Sequence, residues 1–275
     1  MNKQSNDSIL NDLKTLQKLK DIRLEEDVTS IDDTSSSNVK NAFTFSNLFR
    51  KLYNQLFPPR CYMCGKVHDK YEESLVCDDC KSIYKQYRVD KKFFDGDGKE
   101  IGIGIYRYDG VVRFLIQKLK YEKNKKIAYA LSELAFEDVK NFLLKHHVNY
   151  IVPMPIHKDR LKERGFNQSE LIAKRLSEKL NIPYRTDVIG RSRYTIPQSK
   201  LKNEERRDNV KNSFEILNEI EVMGKDIFLV DDIYTTGSTI EECSKVLYEH
   251  NTRKVYFLSI SVSNNKLKGE CNDEN

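Results

Sequence analysis

The sequence predicts an α/β protein in which a mainly parallel, helix-flanked sheet is preceded by a small four-cysteine module. Three observations carry that prediction. In the second half of the chain, short apolar runs that end in turn or acidic residues alternate with stretches of helical period. Strand, helix and strand recur at the length of a right-handed parallel crossover. Ahead of them stand two Cys-x-x-Cys pairs of identical spacing, Cys61/Cys64 and Cys77/Cys80.

The 275 residues suffice for one large domain or two smaller ones, and a hydrophobic content of 39% is low for a chain folded throughout. Residues 1–41 mix Ser, Asp, Asn, Thr and Lys with few aromatics, so disorder is expected there, apart from a short helix around Ile9 to Leu19. The 47 basic and 42 acidic residues leave a net charge of +5, far from that of a nucleic-acid coat protein. Any anion site must therefore be a local cluster. No stretch approaches the ~20 apolar residues of a membrane span, and the start, MNKQSNDSIL, lacks the apolar core of a secretory signal. A cytoplasmic protein without membrane insertion is expected.

An amphipathic helix is predicted over 42–57, where Phe45, Leu48, Leu52, Tyr53 and Leu56 share helical spacing before Pro58-Pro59 stops it. The cysteine module is placed at 58–90. Its two pairs, twelve residues apart, can aim four thiolates at one tetrahedral Zn²⁺. With no coordination position left open, that zinc would be structural, organising a module too small to bury a core. A redox pair is the rival, but two matching pairs without a thioredoxin-like pattern favour metal. His68 could replace one cysteine as a ligand.

The main domain is placed at 100–265, with a flexible tail at 266–275. IGIGIYRY at 101–108 alternates as a strand, Val111 to Leu119 and Ile127 to Leu144 read as helices, and YIVPMP at 150–155 is a short buried strand. A helix from Ser169 to Leu180 follows. Arg191 to Lys211 has no period, is rich in charge and contains Pro197, which suggests a mobile surface segment able to act as a lid. A strand at 226–232, a helix from Thr239 to His250 and a strand at 254–262 complete the domain. Cys243, on that last helix, fits core packing better than nucleophilic chemistry.

The chemistry concentrates after the strand at 226–232. An apolar run, Ile227 to Val230, ends in Asp231 and Asp232, at the edge of a parallel strand where ligands bind. Thr235, Thr236, Gly237, Ser238 and Thr239 then lead into a helix. Their hydroxyls, the backbone N–H groups and the helix dipole suit a phosphate. The two carboxylates suit vicinal ribose hydroxyls and a Mg²⁺ ion. An acidic N-cap or a phospho-acceptor receiver would explain the acids but not the Thr-Thr-Gly-Ser-Thr run. Upstream, Arg113, Lys118, Lys120, Lys123, Lys125 and Lys126 face one acid, Glu122, with Tyr121 interleaved. That stretch reads either as a nucleic-acid contact or as a solvated basic helix.

The segment VDDIYTTGST, Val230 to Thr239, is similar to the phosphoribosyl-diphosphate (PRPP) signature of type I phosphoribosyltransferases. Taken with VPMPIHKDRLKERGFNQSELIAKRL and PQSKLKNEERRDNV, the chain resembles the ComF family of late competence proteins over about residues 56–262. The resemblance implies a type I phosphoribosyltransferase-like domain that binds PRPP or another ribose 5-phosphate with Mg²⁺. It puts Asp231 and Asp232 at the catalytic, ribose-contacting positions and Thr235 to Thr239 around the 5-phosphate. Lys158, Arg160 and Arg164 become candidates for the diphosphate, with a solvated helix face as the plainer reading. A flap with Pro197, Gln198, Arg206, Arg207 and Asn209 would close over the ligand. The family also implies a part in DNA uptake for natural transformation. The chain would act there as a phosphoribosyltransferase of unknown acceptor, as a non-catalytic nucleotide sensor, or as an adaptor that binds single-stranded DNA beside a DNA translocase. The polar tail after Val262 offers no recognisable nucleobase hood, which favours an unusual acceptor or none.

Overall fold

The computed structural model describes residues 58–67, 74–193 and 210–267. The expected disorder of 1–41, the helix at 42–57, His68, residues 268–275 of the tail and the flap residues Pro197, Gln198, Arg206, Arg207 and Asn209 lie outside the described residues. The chain divides between Cys80 and Lys81 into two units.

In the first unit an antiparallel bridge, Arg60 with Val67, brackets the first cysteine pair. Cys61 N–H donates to Lys66 O at 2.8 Å and Gly65 N–H to Cys61 O at 2.9 Å, closing a tight turn. Gly65 takes φ +76°, a left-handed value that glycine adopts without a Cβ penalty. Tyr62 N–H donates to Leu75 O at 2.9 Å, tying the second pair to the first. Helix α1 (Asp78–Lys85) carries Cys80 in its first turn.

The second unit continues with β1 (Arg88–Phe94), β2 (Glu100–Arg107), α2 (Gly110–Tyr121), α3 (Lys126–Leu143) and β3 (Tyr150–Pro153). Next come α4 (Lys158–Arg164), α5 (Gln168–Leu180), β4 (Ile189–Arg191), β5 (Phe214–Ile216), β6 (Asp226–Tyr234), α6 (Ser238–Glu249), β7 (Lys254–Val262) and α7 (Asn264–Leu267). The main sheet has the order β1-β2-β7-β6-β3. Only β1 is antiparallel; β2, β7, β6 and β3 run parallel. Strands β4 and β5 form a separate antiparallel pair at the two ends of the charged segment. The architecture is the mainly parallel, helix-flanked sheet that the alternation of patterns predicts.

β6 is an interior strand, with β7 on one side and the edge strand β3 on the other, and its first five residues are buried, as a strand covered on both faces requires. Its Ile227 and Leu229 pack with Val152 of β3, Cys243 and Leu247 of α6 and Phe257 of β7. Cys243 is thus a core side chain. β2 lies close against this core because of Gly102, where a Cβ would come within 2.5 Å of the Phe257 ring.

Two features depart from the sequence reading. The basic stretch after β3, for which the sequence predicted no element, forms the short helix α4, which Gly165 ends as a left-handed C-cap at φ +81°. Glycine suits that position because it takes the left-handed conformation without a Cβ penalty. β6 also runs past Asp232 to Tyr234, because β7 keeps pairing with it as far as Val262. β3 stops earlier, with Pro153 opposite Val230, and Met154 N–H donates to Val230 O at 2.8 Å. The sheet therefore has a notch on the β3 side of β6, and Asp231 and Asp232 are the first residues beyond it.

Candidate functional site

At the notch, three elements bring side chains to the acidic pair. Asn167, the N-cap of α5, accepts from Ser169 N–H at 3.1 Å and donates from Nδ2 to Met154 O at 3.0 Å, which pins the start of the helix to the end of β3. That places the first two residues of α5 against the carboxylates. Ser169 Oγ donates to Asp231 Oδ1 at 3.3 Å, and Gln168 Nε2 to Asp232 Oδ2 at 3.3 Å. Gln168 in turn accepts from Arg164 Nη1 at the end of α4. From the opposite side α2 contributes Lys120, whose Nζ lies 2.6 Å from Asp232 Oδ2. On β7, Ser261 Oγ donates to the Asp232 carbonyl at 3.0 Å, holding the backbone from below.

These contacts give the two acids different proton affinities. Burial, and then the adjacent Asp232 charge, raise Asp231 well above the ordinary carboxylate range. Burial also acts on Asp232, but the Lys120 ammonium, with Arg164 and Gln168 behind it, outweighs burial and holds Asp232 low. Burial lowers Arg164, with the Asp232 charge working the other way. Arg191, the last residue of β4, is pushed down to about 10, chiefly by burial and by the nearby Arg160, with Asp231 opposing. Its Nε has no hydrogen-bond partner among the described residues.

The loop from Thr235 to Thr239 leads straight from β6 into α6. Gly237 is the N-cap at φ +91° and brings no side chain to the first-turn amides. Thr236 Oγ1 and Ser238 Oγ lie 2.9 Å apart. A loop of this kind at the start of a twelve-residue helix presents hydroxyls and amides to an anion.

Of the basic candidates on α4, Arg164 reaches the acidic pair through Gln168, and Arg160 lies within electrostatic range of Arg164 and Arg191. Lys158 is exposed on the outer face of the helix. Lys120, Gln168, Ser169 and Arg191 are site residues that sequence reasoning did not assign. Gln168 lies in the segment from Val152 to Leu176 that carries the family resemblance. Lys120 was counted in a basic stretch and Arg191 in the lid segment, and neither pattern reveals a carboxylate partner distant in sequence.

In the first unit the Sγ atoms of Cys61, Cys64, Cys77 and Cys80 all lie within 4.8 Å of one another. Cys64 Sγ and Cys77 Sγ are 3.7 Å apart. A tetrahedral ion with arms of about 2.3 Å needs sulfurs about 3.8 Å apart, so the four can hold a metal ion. Cys77 N–H and Met63 N–H both donate to Cys61 Sγ at 3.4 Å, the outer bonds that orient a ligating thiolate. Hydrogen bonds from Cys64 and Cys80 pull the Cys61 thiol far below its ordinary range, while the contact with Cys61 pushes Cys64 up.

The phosphoribosyl transferase domain family matches residues 167–268. Competence protein F of Haemophilus influenzae is 30% identical over 193 residues, spanning 69% of this chain and 78% of that protein. The chain belongs to the ComF family. Competence protein ComFC of Bacillus subtilis is 30% identical over 196 residues, 69% of this chain and 71% of that protein. DNA utilization protein YhgH of Escherichia coli O157:H7 is 34% identical over 151 residues, 54% of this chain and 66% of that one. In this ComF-family chain the acidic pair, the loop after it and the start of α5 fall inside the domain match, whereas Lys120 and the α4 arginines fall outside it. Among the described residues no helix is long and apolar enough to cross a membrane.

Proposed function

We propose that this ComF-family chain binds PRPP or another ribose 5-phosphate with Mg²⁺ at the notch, and that it serves DNA uptake in natural transformation. The observation that carries the reading is the joining, within one strand-loop-helix unit, of two carboxylates suited to ribose hydroxyls and a hydroxyl-rich helix N-terminus suited to phosphate. Asp231 and Asp232 would hold the ribose hydroxyls, and Thr235 to Thr239 the 5-phosphate. Arg160 and Arg164, with Lys158 further out, would neutralise a diphosphate. Mg²⁺ arriving with a diphosphate-bearing ligand would be held beside the two aspartates, directly or through water, and would supply further neutralisation of the departing diphosphate. The four cysteines would bind a structural Zn²⁺. The DNA-uptake role rests on family membership and on relatives named as competence and DNA utilization proteins.

Whether transfer chemistry follows binding depends on an acceptor, and fold alone does not supply one. The alternative, an adaptor that binds single-stranded DNA, is supported by the exposed Arg113, Lys123 and Lys125 around Tyr121, whose side chain is 69% exposed. Steep salt dependence of oligonucleotide binding would favour it, and indifference to salt would count against it.

The deciding experiment is calorimetric titration of the zinc-loaded protein with PRPP and Mg²⁺, beside Asp232→Asn and Thr236→Val. Binding that disappears in both variants locates the ligand. Thr236→Val leaves the Lys120 ion pair intact and so separates lost binding from lost folding. If the wild type takes up neither PRPP, ribose 5-phosphate nor a nucleotide, the ligand reading fails and the adaptor reading takes its place.

A further inference from the structure

Lys120 occupies a position that helix geometry would give to an apolar side chain. Val112 and Ile116 of α2 are fully buried, and Lys120 continues their row at the same four-residue interval. A lysine there must find a carboxylate or lose its charge. It finds Asp232, at 2.6 Å, with side-chain exposures of 18% for the lysine and 7% for the aspartate. The Asp232 oxygen that accepts from Lys120 also accepts from Gln168, so the oxygen is already engaged by two donors. Arg164, through Gln168, and Arg191, within electrostatic range of Asp231, add further positive charge. Three cations thus surround two carboxylates before any ligand arrives.

We infer that Lys120 is a built-in cation for the acidic pair, which keeps a divalent metal off Asp232 in the ligand-free protein and lets the site take the ribose 5-phosphate part of its ligand without metal. Metal then enters with a diphosphate-bearing ligand rather than ahead of it. The ammonium has a fixed +1 charge on a tethered stem, so it neutralises Asp232 at no translational cost, and a hydrated Mg²⁺ would have to displace it. Lys120 is a positioning residue: it sets where Asp232 points and what else Asp232 can bind. That Asp232 faces a sugar rests on the reading above; that Lys120 excludes a metal does not.

The test uses the full chain with Mn²⁺ as probe, followed by electron paramagnetic resonance and calorimetry, with no sugar present. Wild type and Lys120→Arg are expected to bind Mn²⁺ only weakly at the notch. Lys120→Gln is expected to gain affinity by about tenfold or more, and Lys120→Gln with Asp232→Asn to lose the gain. A gain of binding does not arise from misfolding. Equal Mn²⁺ affinity in wild type and Lys120→Gln overturns the assignment. Should Lys120→Gln not fold, the wild type still decides the matter. Its affinity for ribose 5-phosphate should agree within about threefold between Mg²⁺-free buffer and millimolar Mg²⁺, with the cysteine-bound metal retained in both, and binding that requires Mg²⁺ overturns the assignment. If no ribose phosphate binds under any condition, the proposed ligand falls, and the Mn²⁺ contrast alone judges Lys120.

Discussion

Because burial and then the Asp232 charge raise Asp231, with its pKa at about 7, the folded protein holds a proton there that the unfolded chain gives up near pH 4. Between those values the native state binds more protons than the unfolded one, so this residue makes stability fall as pH rises. Asp231→Asn should therefore stabilise the ligand-free protein by about 1–3 kcal/mol at about pH 8 and by little near pH 4, as read by denaturant unfolding at the two pH values. A stability gain independent of pH would show that the carboxyl is not strained by its surroundings. Asp232, held low, has the opposite sign: the stability it contributes is present above its unfolded value and is lost as pH falls. A second residue-scale constraint is Gly237, where φ is +91° and a Cβ would come within 2.2 Å of the Tyr234 hydroxyl. Gly237→Ala should cost about 1–3 kcal/mol of stability and weaken phosphate binding by about tenfold or more, since the loop must shift to make room. Thermal unfolding and titration with ribose 5-phosphate check the two parts. The sequence already marked Asp231, Asp232 and Gly237, because a strand ending in acids before a Thr/Gly/Ser loop is a local pattern. It could not mark Lys120, because a buried lysine on a helix is read from its partner, and that partner is supplied only by the fold.

At the scale of elements, α5 has the most to do with the shape of the site, since its first two residues touch both aspartates. Asn167 fixes it by two hydrogen bonds, one to its own first turn and one to the end of β3. Asn167→Ala should destabilise the protein by about 1–2 kcal/mol through the lost cap and the Met154 carbonyl left without its donor. It should also weaken ligand binding while leaving helix content unchanged, which circular dichroism and calorimetry would resolve. Elements whose patterns were regular, such as β6, β7, α3 and α5, were legible in the sequence. β1 was not, because RVDKKFF is an edge strand with charged residues in its middle, and its pairing with β2 is interrupted between Arg88 and Lys91, where Asp90 takes φ +47°. α4 was missed because it is barely two turns long and has no buried residue, so no apolar period announces it.

At the scale of the whole molecule, the division between Cys80 and Lys81 makes metal binding and sugar binding separable in principle. All four clustered cysteines belong to the first unit, and every strand of the main sheet, with its core from Val152 to Phe257, belongs to the second. A short cysteine-stapled unit without its ion loses the free energy that folds it. The sheet has its own hydrogen-bond ladders and apolar core, so it should survive that loss. If the proposed zinc is bound there, treatment with a strong chelator, or Cys64→Ser, should release one zinc per chain and remove the first unit's contribution to near-ultraviolet and proteolytic protection. The main thermal transition should stay within a few degrees, and ribose 5-phosphate affinity within about threefold. Zinc release measured with a colorimetric chelator, alongside calorimetry of both transitions, checks this. If affinity and the main transition collapse together with zinc loss, the two units share stability, and the zinc supports the ligand site as well as its own fold.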